Sequence, residues 1–320
     1  MIPDLEVVLV DNASGDNSAS IMSDGLTDLI HEGFVKLMPL DLNGGFGWAN
    51  NQALLMVTAR ERPPEFVMLL NPDCTIEPLA IRLLLDELLS SRNCAVAGSQ
   101  LLNPDGSWTG SAFRFPTIGR ELVRGARMEM LGRLLGIAPT LVTSEASCEA
   151  DWVTGASCLI RTSTLVSEGL FDDGFFLYFE EVELMFRFRQ AGFTIRHVPD
   201  SRVFHIGGAS TGLREGKALS MPSFPLYWFQ SRRRFLTLAY GPLRAGLSNI
   251  AWLLGVSIGW LRSVLDRSKA VHSDMADIRL MFIHGLWSES TDSKRAIAHI
   301  GDSVGRPPYW MLAGQKSHDS

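Results

Sequence analysis

Short apolar runs, each closed by an acid- or amide-bearing turn and followed by a helix-length stretch, restrict this chain to an α/β fold. "LEVVLVDNAS", "FVKLMPL", "EFVMLLNPDC" and "CAVAGSQLL" read as strands. Residues 18–32 and 49–60 and the run "PLAIRLLLDELLSS" read as the helices between them. This alternation predicts a Rossmann-type α/β sandwich with a mostly parallel central sheet. In such sheets ligands bind beyond the carboxyl ends of the strands. Asp11, Asn43 and Asp73 stand at those ends. Residues 107–150 are less regular and read as an insertion or acceptor-side loop. "DWVTGASCLIR" reads as a strand and "EEVELMFRFRQAG" as a helix. "FTIRHVPDSRVFHIGGAST" reads as strand, turn, strand and Gly-rich loop. After residue 217 helices take over, giving a domain over 1–216 and a helical extension over 217–320.

Charge excludes one large class of partner. The net charge of −6 argues against nucleic-acid binding. Cys74, Cys94, Cys148 and Cys158 show no CxxC pair, and read as reduced thiols of a cytoplasmic protein. The charge is uneven, however: residues 217–269 carry +7. Inside that segment Ala245–Leu261 is uncharged and rich in Leu, Ile and Trp. Its 17 residues sit at the short limit for a membrane span. A basic, apolar, Trp-bearing helix suits peripheral contact with an anionic membrane surface, at the inner face of the cell membrane. A helix packed on the main domain explains the same composition.

Three stretches carry candidate chemistry. In "LLNPDC" a buried strand delivers Asp73 to the sheet rim, where Pro72 stops the ladder. A carboxylate there suits a divalent cation on a phosphate, although Asn71-Pro72-Asp73 is also good turn chemistry. In "VFHIGGAST" His205 follows a strand; an imidazole suits Mn²⁺ better than Mg²⁺, and a half-buried histidine bonded to a carbonyl is the plainer reading. In "FFLYFEEVEL" Glu180, Glu181 and Glu183 follow Phe175, Phe176, Tyr178 and Phe179. Acids favour a helix start, and Glu183 with Arg187 makes an i,i+4 pair. A carboxylate desolvated by aromatics also becomes a better base near neutrality. "LNGGFGWANN" lacks both GxGxxG and GxxxxGK[ST], which disfavours NAD enzymes and P-loop ATPases.

Taken together, "VVLVDNASGDNS", "NGGFGWANNQAL", "LLNPDCTI", "DWVTGASCLIR", "FLYFEEVELMFRFRQAG" and "HIGGAST" resemble family 2 glycosyltransferases of the inverting GT-A type. The nearest look is to the rhamnosyltransferase-like branch that builds bacterial cell-surface polysaccharide. The resemblance covers roughly residues 5 to 212. It implies that Asp11, Asn43, Gly45, Asn50 and Asn71 line the donor pocket. Asp73 and His205 would hold a divalent cation, Mn or Mg, on the diphosphate. Trp152, Gly155 and Glu180 would face the acceptor, and Glu181 would be the catalytic base. The donor implied is a nucleoside-diphosphate sugar, dTDP-rhamnose first and UDP-sugars next. The acceptor implied is a saccharide or a lipid-linked saccharide.

Two departures from the family stand out. Glu181 occupies a place where the family has Asp, which moves the carboxylate by about one methylene. The family also opens with a strand and helix ahead of "VDNAS", a unit of roughly 30 residues, whereas Met1 lies four residues before Leu5. The expectation is a sheet without its first strand, unpaired ladder groups beside the gap, and a natural start upstream. Both departures also feed the rival reading of an inactive, glycosyltransferase-like binding protein. A nucleotidylyltransferase lacks support because no basic Gly-rich loop is present near the start. A processive synthase lacks support because "QSRRRF" departs from QxxRW.

Overall fold

The computed structural model describes residues 4–206, 224–265, 275–286 and 290–316. The chain runs β1 (Val7–Asp11), α1 (Ser18–Gly25), α2 (Thr27–His31), β2 (Val35–Pro39), α3 (Phe46–Thr58), β3 (Phe66–Leu70) and β4 (Cys74–Ile76). Then follow α4 (Ala80–Ser90), β5 (Cys94–Leu102), β6 (Ala112–Phe113), α5 (Ile118–Ala126), α6 (Glu129–Leu134), β7 (Cys148–Ala150), β8 (Trp152–Val153) and β9 (Ser157–Arg161). The remainder is α7 (Thr162–Glu168), α8 (Glu180–Gln190), β10 (Thr194–His205), α9 (Leu226–Tyr240), α10 (Pro242–Leu265), α11 (Met275–Gly285) and α12 (Tyr309–Lys316).

The α/β sandwich is present, and its central sheet is mixed. Strand order is β3-β9-β5-β10-β4, with β7 also on β10. β5 and β10 are parallel; β9 runs against both β3 and β5, so β3, β5 and β10 share a direction. All nine residues of β5 are buried, as a strand covered on both faces must be. Leu84 and Leu88 of α4 cover one face against Ala97, Leu159 and Val198. Leu54, Leu165, Leu184, Met185 and Phe188, from α3, α7 and α8, cover the other against Val96, Ile160 and Ile195. Where sequence suggested two strands around Pro199-Asp200, β10 is one strand with a register shift between Val198 and Arg202. Three extra residues of β10, 199–201, bulge out between those pairs, and the ladder resumes at Arg202.

β1 and β2 form a separate parallel pair. Among the described strands, β1 pairs only with β2 and β3 only with β9.

The stretch 107–150 is more regular than its sequence suggested. Thr117 caps α5 by accepting the Arg120 amide, and α5 lies along α10 at backbone contact. A Cβ on Gly125 would fall 2.2 Å from the Trp252 carbonyl oxygen, and one on Gly255 2.1 Å from that of Leu122. Only glycine permits this approach. The extension does not stand apart from the α/β body. Phe235 and Leu236 of α9 share a core with Phe175, Val182 and Phe186. The arginines that gave 217–269 much of its charge are buried and paired. Arg232 meets Glu121, Arg233 meets Asp292, and Arg234 meets Asp172.

Candidate active site

The residues expected on the donor side stand at the ends of β1 and β2. Asp11 is buried at the end of β1, where its carboxylate accepts from the Ser14 hydroxyl at 2.5 Å and the Ser14 amide at 3.3 Å. The next residue braces the following loop. Asn12 donates to the Asn43 side-chain oxygen at 2.9 Å and accepts from the Gly44 amide at 3.2 Å. Asn43 also accepts from the Gly45 amide, and Asn50 bonds back to the Phe46 carbonyl at 2.9 Å. The amides expected to line the nucleotide therefore also hold the loop in shape. Asn12 escaped sequence reading, although an Asx residue after a strand-end acid is a usual turn former.

Gly45 opens α3 with φ +92° and ψ 175°, a region open essentially only to glycine. A Cβ there would sit 1.8 Å from the Phe176 carbonyl oxygen. That carbonyl accepts the Phe46 amide at 3.1 Å. The loop ahead of α3 thus rests directly on the turn that leads to the acidic helix.

On the other side of the sheet end, β10 pairs antiparallel with β4 and brings His205 opposite Cys74. His205 Nε2 lies 3.2 Å from an Asp73 carboxylate oxygen. Asp73, Cys74 and His205 form the metal-capable cluster among the described residues. An imidazole and a carboxylate fit a divalent cation. Burial, then the nearby Asp73 charge, pushes the Cys74 thiol up to about 12. The Gly-rich residues 207–208 and the rest of "GGAST" lie outside the described residues. Asn71 donates its amide to the Ala156 carbonyl, which also accepts from Cys74 Sγ.

The acidic helix is aimed by strain. Tyr178 and Phe179 both have φ +69°, rare for residues with a Cβ. Each such residue costs about 1–3 kcal/mol unless its surroundings enforce it. α9 does so: Tyr178 stacks on Tyr227, Phe179 packs on Trp228 and Phe235, and Ser231 donates to the Leu177 carbonyl. The bend delivers Glu180 and Glu181 as the first residues of α8.

The three acids then diverge. Glu183 is buried and bonded to Arg187 and Arg295, so the i,i+4 pair is a core ion pair. Glu180 is buried with its Cβ 3.3 Å from where a Gly47 Cβ would be, which sets it against the start of α3. Glu181 is half-buried, beside Gly155 and the Phe46 ring that packs on it. One carboxylate oxygen each of Glu180 and Glu181 is buried without a partner. Burial, then the Glu181 charge, raises Glu180 well above the usual carboxylate range, and burial pushes Glu181 up to about 7. Around neutrality the pair therefore holds a proton.

Trp152 lies on β8 with its ring stacked 4.3 Å from Phe113, and its indole N–H is also buried and unpartnered. The backbone between Trp152 and Ala156 thus joins three places: Trp152, the Gly155 contact with Glu181, and the Ala156 carbonyl that accepts from Asn71 and Cys74.

The fold is of the GT-A type. The overall fold is similar to GalNAc-T7 crystallised with UDP, GalNAc and Mn²⁺, with a TM-score of 0.52 at 16% identity. That match takes in 87% of this chain and 48%, about half, of the other. Residues 1–133 match the family model described as Glycosyl transferase family 2. Over 289 residues the chain is 27% identical to N-acetylglucosaminyl-diphospho-decaprenol L-rhamnosyltransferase of Mycobacterium tuberculosis, covering 87% of this chain and 88% of that one. It is 26% identical over 206 residues to Rhamnosyltransferase WbbL of Escherichia coli K12, covering 60% and 72%. These matches support a family 2 glycosyltransferase, and the chain is similar to rhamnosyltransferases of that kind.

Proposed function

We propose that this chain transfers a sugar, rhamnose first among candidates, from a nucleoside diphosphate to a lipid-linked saccharide, with inversion. The observation that carries the reading is the pair of buried, unpartnered carboxylate oxygens on Glu180 and Glu181. A buried acid without a partner is costly, and catalysis gives it a purpose that a binding protein lacks. Asp11, Asn43, Gly45, Asn50 and Asn71 receive the nucleotide. Asp73 and His205 hold a divalent cation, which when bound supplies neutralising charge for the leaving diphosphate. Glu181 accepts the proton of the acceptor hydroxyl as that oxygen attacks the anomeric carbon opposite the leaving group. Trp152 offers its indole N–H to the acceptor. Glu180 stays protonated, so no second charge opposes ionisation of Glu181. Calorimetric titration with dTDP, UDP and GDP, with and without Mn²⁺, tests the donor side. One nucleotide binding tightly only with Mn²⁺ is the expected outcome; metal-independent binding or none overturns it.

The acceptor's lipid and an inner-face location are supported by α10. Its outward face carries Leu243, Leu247, Ile250, Leu254, Ile258 and Leu261, all exposed, with Leu243 at 77%. No described helix is long and apolar enough to cross a membrane, and α10 has no acid, with Arg244 and Arg262 near its ends. An apolar face with basic ends suits an anionic lipid surface. The mycobacterial relative is named for a decaprenol-linked substrate. Vesicles containing phosphatidylglycerol should sediment the wild-type chain. Leu247→Glu and Leu254→Glu should each weaken this by roughly tenfold, since burying a leucine contributes about 1.5–3 kcal/mol. Equal sedimentation of wild type and variants rules out α10 as the contact.

A further inference from the structure

The last described segment returns to the active site. Past the paired Asp292, residues 296–298 bridge antiparallel to 170–173. Ala296 accepts the Asp173 amide, Asp172 bridges Ile297, and Ala298 exchanges bonds with Leu170 and Phe171. The chain then crosses α3, where the Gly305 amide donates to Gln52 at 2.7 Å and the Arg306 carbonyl accepts the buried Trp48 indole at 2.7 Å. Finally α12 presents Trp310. Its indole N–H donates to the Gly44 carbonyl at 3.0 Å, its backbone amide donates to the Asp173 carbonyl, and its ring meets Phe176 edge-on at 5.1 Å.

Trp310 therefore touches both halves of the site. Gly44 belongs to the donor loop. Asp173 and Phe176 belong to the turn that aims Glu181. These two segments already meet at Gly45 and Phe176, through one hydrogen bond between backbones. Behind it, Asn51 of α3 bonds to Phe171 and Asp173, so α3 itself is anchored. Only the loop tip rests on the single Phe46–Phe176 bond, an edge contact able to open locally. The geometry points to Trp310 as a positioning residue: residues 296–312 form a clamp that holds the donor loop against the base-bearing turn. Donor pocket and base are thus set relative to one another by a segment about 130 residues beyond Glu181. This goes beyond the donor and base assignments above, and only its kinetic consequences rest on them.

Hydrogen exchange of the nucleotide-free chain tests the clamp without assuming the reaction. Trp310→Ala should speed exchange at residues 43–48 and 174–179 by roughly tenfold or more, leaving the β5 amides unchanged. Trp310→Phe keeps a ring against Phe176 and loses the bond to Gly44, so it should loosen 43–48 less, and it carries the test if the alanine variant fails to fold. With dTDP or UDP plus Mn²⁺, Kd should rise about fivefold or more in Trp310→Ala, and kcat should fall with it. Faster exchange spread evenly over β5 and the loop, or none at 43–48, overturns the clamp. Absence of nucleotide binding by wild type contradicts the proposed function instead, and leaves the exchange result to decide the clamp.

Discussion

Glu181→Gln is expected to lower sugar transfer by about 10²–10⁴-fold, the range of a positioned general base, while nucleotide binding with Mn²⁺ stays within a factor of about two. Glutamine keeps the shape of the side chain and removes only its basicity. The wild-type pH profile should carry the same signature. Burial pushes Glu181 up to about 7, and the base works only when ionised. Transfer should therefore rise with pH through about 7 and level off above, and the residual rate of Glu181→Gln should lack that limb. The opposite sign holds for stability. A carboxyl whose folded pKa is raised binds its proton more tightly in the fold than in the unfolded chain. Its contribution is full below the ordinary carboxylate range and is lost as pH rises toward 7. Activity and stability should thus move in opposite directions across that window. Steady-state rates and thermal melts at pH 5 to 8.5 check both.

Gly45→Ala is the second large effect. The added methyl would lie 1.8 Å from the Phe176 carbonyl oxygen and would require an alanine at φ +92°. Neither neighbour can yield cheaply, because both are backbone, and the turn at Phe176 is gripped by Tyr227 and Trp310. The donor loop must then lift away from the turn that aims Glu181. A displacement near 1 Å in a catalytic constellation can cost about 100-fold. Transfer should fall by about that factor or more, with a lowered melting temperature. Gly15→Ala is the control: it meets nothing within 4 Å and has no left-handed requirement, and it should retain activity. Wild-type turnover in Gly45→Ala would show that the contact of loop and turn is not needed.

Much of the scaffold was legible because local pattern dictates it. The apolar runs ending at Asp11, Pro39 and Leu70 became β1, β2 and β3, and the helix opening at Glu180 became α8. Asp73 and His205 were readable separately as strand-end residues, and only the β4–β10 pairing put them 3.2 Å apart. What escaped reading depends on distant partners. Arg232, Arg233 and Arg234 looked like surface charge until Glu121, Asp292 and Asp172 were seen to bury with them. α5 was missed although Thr117 marked its start, because its packing stripe of small residues makes sense only beside α10. The left-handed Tyr178 and Phe179 carry no local signal, since aromatic residues do not favour that backbone. Their conformation is imposed by α9, about 50 residues later. Trp310 lies 266 residues from Gly44, and no spacing rule could join them.

The most direct test of the account is the anomeric configuration of the product. Wild type and Glu181→Gln would be incubated with dTDP-rhamnose, Mn²⁺ and an N-acetylglucosaminyl-diphospho-polyprenol, and the new linkage read by NMR. The account predicts a single product of inverted configuration from wild type and almost none from Glu181→Gln. Retained configuration, or equal turnover by the two proteins, would contradict it.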